Sequence, residues 1–88
     1  SRQYQFQRIY SYSLARLYLA LDDYDNAFTN FSQGIETYKT MDAAMSMVAL
    51  MANAGRPVEA MMLLYQTEQL MNDDKKDIHF DRPREAYN

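Results

Sequence analysis

The sequence predicts an all-α fold of four helices followed by a polar tail, and three observations lead to this prediction. Apolar residues recur at spacings of three and four, which is the period of an amphipathic helix and not of a strand. Two Gly and two Pro in 88 residues are too few for a protein of many short strands joined by tight turns. The apolar fraction of 48% is enough to build a core, which excludes a disordered chain.

The first helix is predicted over 3–21 and the second over 24–38. The apolar stripe of the first consists of Phe6, Ile9, Tyr10, Leu14, Leu17, Tyr18 and Leu21. Asp22 and Asp23 follow it, and either can cap the second helix by accepting a hydrogen bond from a free backbone N–H. The stripe of the second helix consists of Tyr24, Ala27, Phe28, Phe31, Ile35 and Tyr38. Lys39 then places a cation at the negative end of the helix dipole.

The third helix is predicted over 41–54 and the fourth over 57–72. Thr40 is the expected N-cap of the third helix, and Gly55 ends it because glycine tolerates the left-handed conformation. Pro57 suits the first position of the fourth helix, where a missing N–H costs nothing. Their apolar positions are Met41, Ala44, Met45, Met47, Val48, Met51 and Ala52, then Ala60, Met61, Leu63, Leu64, Thr67, Leu70 and Met71. Residues 73–88 are predicted to be a polar tail, with a short helix near its end as an option.

Two stretches of the sequence share a spacing of small and bulky residues. From Ala15 the chain reads A-R-L-Y-L-A-L-D-D-Y-D-N-A, and Phe31 follows four residues after Ala27. From Val48 it reads V-A-L-M-A-N-A-G-R-P-V-E-A, so that Ala60 stands in the second stretch where Ala27 stands in the first. The Ala residues let two antiparallel helices approach closely while bulky residues fill the space beside them. Repetition at the period that separates Ala27 from Ala60 is typical of stacked helical repeats.

This pattern resembles the tetratricopeptide repeat, with two divergent copies at roughly 8–40 and 41–72. The small and bulky positions of the first copy are Ala15, Tyr18, Leu21, Tyr24, Ala27 and Phe31. The resemblance implies antiparallel helix-turn-helix repeats that form a fragment of a right-handed α-α superhelix, in one domain over 1–72. An unrelated four-helix bundle with coincidental Ala spacing is the alternative.

The sequence also departs from the family's pattern. Leu64 takes the place of Phe31 in the second copy, and Met51 replaces an aromatic residue. Lys39 stands where Pro usually ends a repeat, and neither copy clearly begins with the family's Trp or a substitute for it. The later small position of the second helix is Gly34 in one copy and Thr67 in the other.

No motif for catalysis is present, so we predict a protein without enzymatic activity, cofactor or metal. There is no Cys and no glycine-rich phosphate loop, and the single His, His79, lies in the predicted tail, which cannot hold a general base in place. Asp22, Asp23 and Asp25 lack the Gly and the bidentate Glu of a calcium loop, so helix capping explains them better. The methionines of the third helix offer thioethers for copper(I), but core packing produces the same spacing.

Charge and hydropathy restrict the partners further. The net charge is −3 and the isoelectric point about 4.9, which argues against a nucleic-acid binder. No unbroken apolar run exceeds six residues, so we expect no membrane insertion by this segment. The chain begins at Ser1 without an initiator Met, and we expect it to be a piece of a longer protein. Cytoplasm and periplasm both stay open as its location.

The resemblance implies a function in protein–protein interaction or scaffolding. In tetratricopeptide arrays the first helix of each repeat lines a concave groove that holds a peptide or a helix. The corresponding groove residues here are Ile9, Tyr12, Arg16, Leu19, Met45, Ala49, Ala52 and Asn53. This face is mostly apolar and lacks the Lys/Asn set that clamps a C-terminal carboxylate, so an amphipathic helix or an extended apolar segment is the expected guest. Packing against a neighbouring repeat or the tail is the alternative role for these residues.

A second function stays open, in which the chain is a soluble helical tail of a larger bacterial envelope or membrane protein. Such a parent could be a glycan polymerase or ligase, or a secretion component, and the helices would then serve assembly or self-association. Tyr4, Phe6 and Tyr10 supply more aromatic surface than a solvated helix needs. Because two repeats leave at least one end of a stack uncovered, a homodimer through these residues is one expectation.

Overall fold

The computed structural model describes residues 10–74, and within them the protein is all-helical, with four helices and no β-strand. The helices are α1 (Ser11–Ala20), α2 (Tyr24–Tyr38), α3 (Met41–Asn53) and α4 (Pro57–Asp74). The predicted all-α class is therefore confirmed. Residues 3–9 of the predicted first helix lie outside the described residues, and Tyr10 and Leu21, which were predicted to be helical, flank α1 as turn residues. The third helix ends at Asn53, one residue before its predicted end. The fourth helix continues through Asp73 to Asp74, two residues beyond its predicted end, and the rest of the predicted tail lies outside the described residues.

The predicted helix caps are present. The Asp23 carboxylate accepts a hydrogen bond from the backbone N–H of Asn26 (3.3 Å) at the start of α2. The Thr40 hydroxyl accepts one from the N–H of Ala43 (3.2 Å) at the start of α3. Each bond satisfies a backbone donor that has no partner within its helix. Local polar residues thus determine where these helices begin.

The turns after α1 and α3 close in the same way. Asp22 (φ 58°) and Gly55 (φ 79°) both adopt the left-handed conformation, and their spacing in the chain equals that of Ala27 and Ala60. After each of them, a backbone N–H donates to a carbonyl five residues earlier. These bonds join Asp23 N–H to Tyr18 C=O (2.9 Å) and Arg56 N–H to Met51 C=O (3.0 Å). The two helix pairs therefore repeat the same turn geometry at the period that the sequence shows.

The helix α2 is central to the packing. α1 packs against α2, α3 packs against α4, and α2 also contacts both α3 and α4. The core consists of Ala15, Ala27, Phe31, Ile35, Ala44, Met47, Met51, Ala60, Leu63 and Leu70. The predicted burial of Ala27 at the contact between the first two helices is confirmed.

The outer helices bury a narrower face than the sequence pattern suggests. In α1 the fully buried residues are Ser11 and Ala15, whereas Leu17 is exposed, as is Leu21 just after the helix (75%), although both belong to the predicted apolar stripe. In α4, Leu64 stands at the repeat spacing from the buried Phe31 but is exposed, and its neighbour Leu63 enters the core instead. Met61 of α4 and Met45 of α3 also belong to predicted apolar stripes and are also exposed. α2 packs against all three other helices, whereas α1 packs mainly against α2 and α4 mainly against α3, so part of each outer stripe stays outside these contacts.

Gly34 lies at a close contact between the two helix pairs. A Cβ atom at this position would lie 2.8 Å from the Met47 Cε and 3.3 Å from the Ser11 Oγ, so only glycine fits without a shift. Polar bonds join the pairs elsewhere. The Ser32 hydroxyl donates to the Gln66 side-chain carbonyl (2.8 Å), and the Gln66 amide donates to the Ser32 backbone carbonyl (3.0 Å). The two helix pairs thus form one packed unit.

Candidate partner-binding face

A cleft of about 230 Å³ lies between α1, the end of α2 and the start of α3. It is lined by Tyr12, Tyr38, Asp42, Ala43, Ser46 and Met47. The lining combines aromatic and aliphatic surface with one carboxylate and one aliphatic hydroxyl. Such a mixture suits an apolar side chain anchored by a few polar contacts.

Tyr12 connects this cleft to the core. Its ring meets that of Phe31 edge to face, with 6.1 Å between the centroids and 61° between the planes. The guanidinium carbon of Arg16 lies 5.7 Å from the Tyr12 ring centroid, within the range of a cation–π contact. The half-buried Tyr12 is therefore held in place by its contact with the buried Phe31. Arg16 adds an exposed positive charge beside the cleft.

The other predicted groove residues occupy different surroundings. Leu19 is half-buried and packs against the core. None of the groove residues predicted on α3 lines the cleft. These residues are exposed instead: Met45, Ala49, Ala52 and Asn53. Ile9 lies outside the described residues. The structure thus brings Tyr12 together with Ala43, Ser46 and Met47, which the resemblance did not select.

Of the residues expected to support self-association, the structure describes one. Tyr10 is half exposed just before α1, and Tyr4 and Phe6 lie outside the described residues. The neighbouring surface of α1 is nevertheless apolar, because Leu17 and Leu21 are exposed on the same side as Tyr10.

A second apolar surface, missed by the sequence reasoning, lies on α4. This surface, called the α4 outer stripe below, consists of Val58, Met61, Met62 and Tyr65. Each of these side chains is between 52% and 67% exposed. Their spacing of three, four and seven residues places them on one face of the helix, opposite its buried residues. The same spacing was visible in the sequence, but pattern alone does not say which of two apolar faces packs inward.

A cluster of charged and aromatic side chains joins the turn after α1 to the turn after α3. The guanidinium of Arg56 lies over the Tyr24 ring, 4.6 Å from its centroid, and donates to the Glu59 carboxylate at 2.6 and 3.0 Å. These hydrogen bonds hold the pKa of Glu59 below its ordinary value. The Tyr24 hydroxyl donates to Asp22 (3.1 Å), which raises the pKa of Tyr24. The cluster holds the two turns together and carries no arrangement of nucleophile and base.

Within residues 10–74, no three His, Cys, Asp or Glu side chains are grouped as they would be around a metal ion. Asp22 and Asp23 instead bond to groups of their own turn. In the same part of the chain, no helix combines the length and the apolar character that crossing a membrane requires.

Comparison of the chain with protein-family models, with curated proteins and with solved structures finds no match.

Proposed function

We propose that this chain is a non-enzymatic protein-interaction module of two divergent tetratricopeptide-like repeats, with a partner segment held at the face formed by α1 and α3. The observation that carries the proposal is the cleft between these helices, which has an apolar floor at Tyr12, Ala43 and Met47 and a carboxylate at Asp42. An amphipathic helix or an extended apolar segment matches this chemistry.

Repetition within the structure supports the assignment to stacked repeats. Besides the two left-handed turn residues, several buried positions recur at the spacing of the two copies. These pairs are Ser11 with Ala44, Ala27 with Ala60, Asn30 with Leu63, and Gly34 with Thr67. The main contacts pair α1 with α2 and α3 with α4, as expected for stacked helical hairpins. A right-handed superhelical course is the arrangement we propose for them.

Selection of peptides from a random display library tests the proposed face. We expect enriched peptides with apolar residues at helical spacing that bind the full chain and compete with one another. Ser46→Arg places a long side chain at the cleft from an exposed helix position, so it should weaken binding at least tenfold. Ala20→Arg, at an exposed position of α1 outside the cleft lining, is the matched control and should leave binding unchanged. Peptides that bind both variants equally, or no enrichment at all, would contradict the proposal.

Exposed apolar surface on α1 favours a second function, in which the helices assemble with a copy of themselves or with a larger parent protein. Leu17 and Leu21 lie one turn apart and are among the most exposed apolar side chains described. Aqueous exposure of such a surface is costly, and a self-complementary contact would cover it.

Sedimentation of the full chain at about 100 µM tests this second function, because a contact of roughly −8 kcal/mol would be nearly saturated there. A dimer mass that returns to the monomer in the double variant Leu17→Glu, Leu21→Glu would support assembly through α1. A monomer mass for the unmodified chain would contradict self-association.

A further inference from the structure

The α4 outer stripe is large enough to be a binding surface. Its four side chains together expose roughly 500 Å², near the upper end of the apolar patches found on monomeric proteins. Two are Met and one is Tyr, residue types that are enriched at protein interfaces. Isolated apolar residues on a surface need no explanation, but a continuous stripe on one helix face does.

A depression of about 620 Å³ extends this stripe toward α2. Val58 and Met62 belong to both the stripe and the depression, and Phe28 of α2 contributes further apolar surface. The exposed carboxylate of Asp25 also lines it, together with the Arg56–Glu59 ion pair. A guest lying along α4 could therefore place an apolar side chain in the depression and a cation beside Asp25.

Charge decides which kind of guest fits. Residues 10–74 contain three basic and nine acidic side chains, a formal net charge of −6. The helix α4 contributes Glu59, Glu68, Asp73 and Asp74 and no basic residue. Arg56, the nearest cation before α4, is already paired with Glu59. Asp25 beside the depression and Glu68, three residues after Tyr65 on α4, thus bring negative charge next to the stripe.

This charge pattern disfavours a second copy as the guest. Two α4 helices that met along their outer stripes would bring their acidic residues together, and like charges at an interface oppose association. A helix with apolar residues on one face and Lys or Arg beside them would instead gain attraction from the same carboxylates.

We propose that the α4 outer stripe docks a basic amphipathic helix of a partner protein. The apolar face of the guest covers Val58, Met61, Met62 and Tyr65, and its flanking cations lie near Asp25 and Glu68. This surface is separate from the α1–α3 cleft, so the proposal stands or falls independently of the function assigned to the cleft.

Two designed peptides provide the probe. One is an amphipathic helix of about five turns with Leu on one face and Lys elsewhere, and its matched control carries Glu in place of every Lys. Fluorescence anisotropy with the full chain measures both affinities, and methyl NMR locates the contact. We expect the Lys peptide to bind at least tenfold more tightly, with shifts at the Met61 and Met62 methyl groups and weakening as salt screens the charges.

Variants of the stripe distinguish this contact from unspecific attraction to an acidic protein. Met61→Glu and Tyr65→Glu change exposed side chains and should each reduce the affinity for the Lys peptide at least tenfold. Met45→Glu, which changes an exposed methionine of α3, adds the same charge elsewhere and should leave the affinity within twofold. Equal binding of the two peptides, or equal binding by all three variants, would overturn the proposal.

The occupancy of the stripe in the free protein can be measured in the same samples. A soluble gadolinium chelate should broaden the Met61 and Met62 methyl signals strongly when no peptide is present. Protection of these methyl groups in the free chain would overturn the proposal. The sedimentation mass would then identify the occupant, either a second copy or residues 75–88 of the same chain.

Discussion

The backbone of Gly34 lies against the side chain of Met47, and this contact joins the two helix pairs. A Cβ on Gly34 would stand 2.8 Å from the Met47 Cε and 3.3 Å from its Sδ. Met47 is itself fully buried, so a large displacement of its side chain would disturb the core. The small residue of α2 thus sets how closely α3 approaches.

Gly34→Val should lower the free energy of unfolding by about 1–3 kcal/mol, because its branched side chain overpacks the contact with Met47 and Ser11. Gly34→Ala should be nearly neutral, since the better helix propensity of Ala, about 1 kcal/mol, offsets the cost of a small shift of the Met47 methyl group. Urea denaturation of both variants checks this. A Val variant as stable as the unmodified protein would show that the helices are not in close contact here.

Two residues with left-handed backbone conformations, Lys39 and Gly55, should respond to substitution with stability changes of opposite sign. Lys39 adopts φ 51° at the end of α2, where a Cβ is strained, so Lys39→Gly should raise the free energy of unfolding by about 0.5–1 kcal/mol. Gly55 has φ 79°, and no atom lies within 4 Å of the position that a Cβ would take there. Gly55→Ala should therefore lower the free energy of unfolding by about 1 kcal/mol through backbone strain alone. Thermal unfolding of the two variants gives both signs. If both variants unfolded at higher temperatures than the unmodified protein, or both at lower ones, the left-handed conformation of Lys39 or of Gly55 would be contradicted.

Asn30 is a buried polar residue whose replacement should stabilise the protein. It is 4% exposed, and its Nδ2 donates to the Asn26 backbone carbonyl (2.8 Å), while its Oδ1 has no partner among the described residues. Asn30→Leu removes the unpaired acceptor and matches the buried Leu63 of the second pair, so we expect a gain of about 1 kcal/mol. Asn30→Asp should instead lose about 2 kcal/mol or more, because it buries a charge. If chemical denaturation showed the Asp variant to be more stable than the Leu variant, Asn30 would not lie in a buried, apolar environment.

The ion pair between Arg56 and Glu59 predicts a specific pH dependence. Hydrogen bonds from Arg56 lower the pKa of Glu59 below its ordinary 4.5. A pKa lowered in the folded state means that the pair stabilises the protein above the pKa of the unfolded chain, and that this stabilisation is lost as the pH falls through the folded value. An NMR titration of the Glu59 carboxyl carbon measures the shift, and Arg56→Met should return the pKa toward 4.5. An identical titration in the variant would exclude Arg56 as the cause.

The sequence was sufficient to predict where α2, α3 and α4 begin, because these starts depend on local chemistry. Asp23, Thr40, Gly55 and Pro57 act within a few residues of their own positions, through caps and backbone conformation. The burial of Ala27 followed equally from its place in a repeated pattern of small residues.

The orientation of the outer helices could not be predicted in this way. In α1 the small residues Ser11 and Ala15 are buried while Leu17 is exposed, because close helix contact favours small side chains over bulky ones. In α4 both Leu63 and Leu64 fit a helical stripe, and only the placement of the neighbouring helices decides which one is buried. The α4 outer stripe and the lining of the cleft follow from these tertiary contacts.

Residual dipolar couplings of the backbone amides test the stacked-repeat arrangement most directly. They measure how the pair α1–α2 is oriented relative to the pair α3–α4 in solution. We expect that one right-handed rotation carries the first pair onto the second, with Ser11–Tyr38 matching the segment 44–71. Couplings that relate the two pairs by a two-fold rotation, as in a closed bundle, or that allow no common rotation of α1 onto α3 and α2 onto α4, would contradict the proposed repeat module.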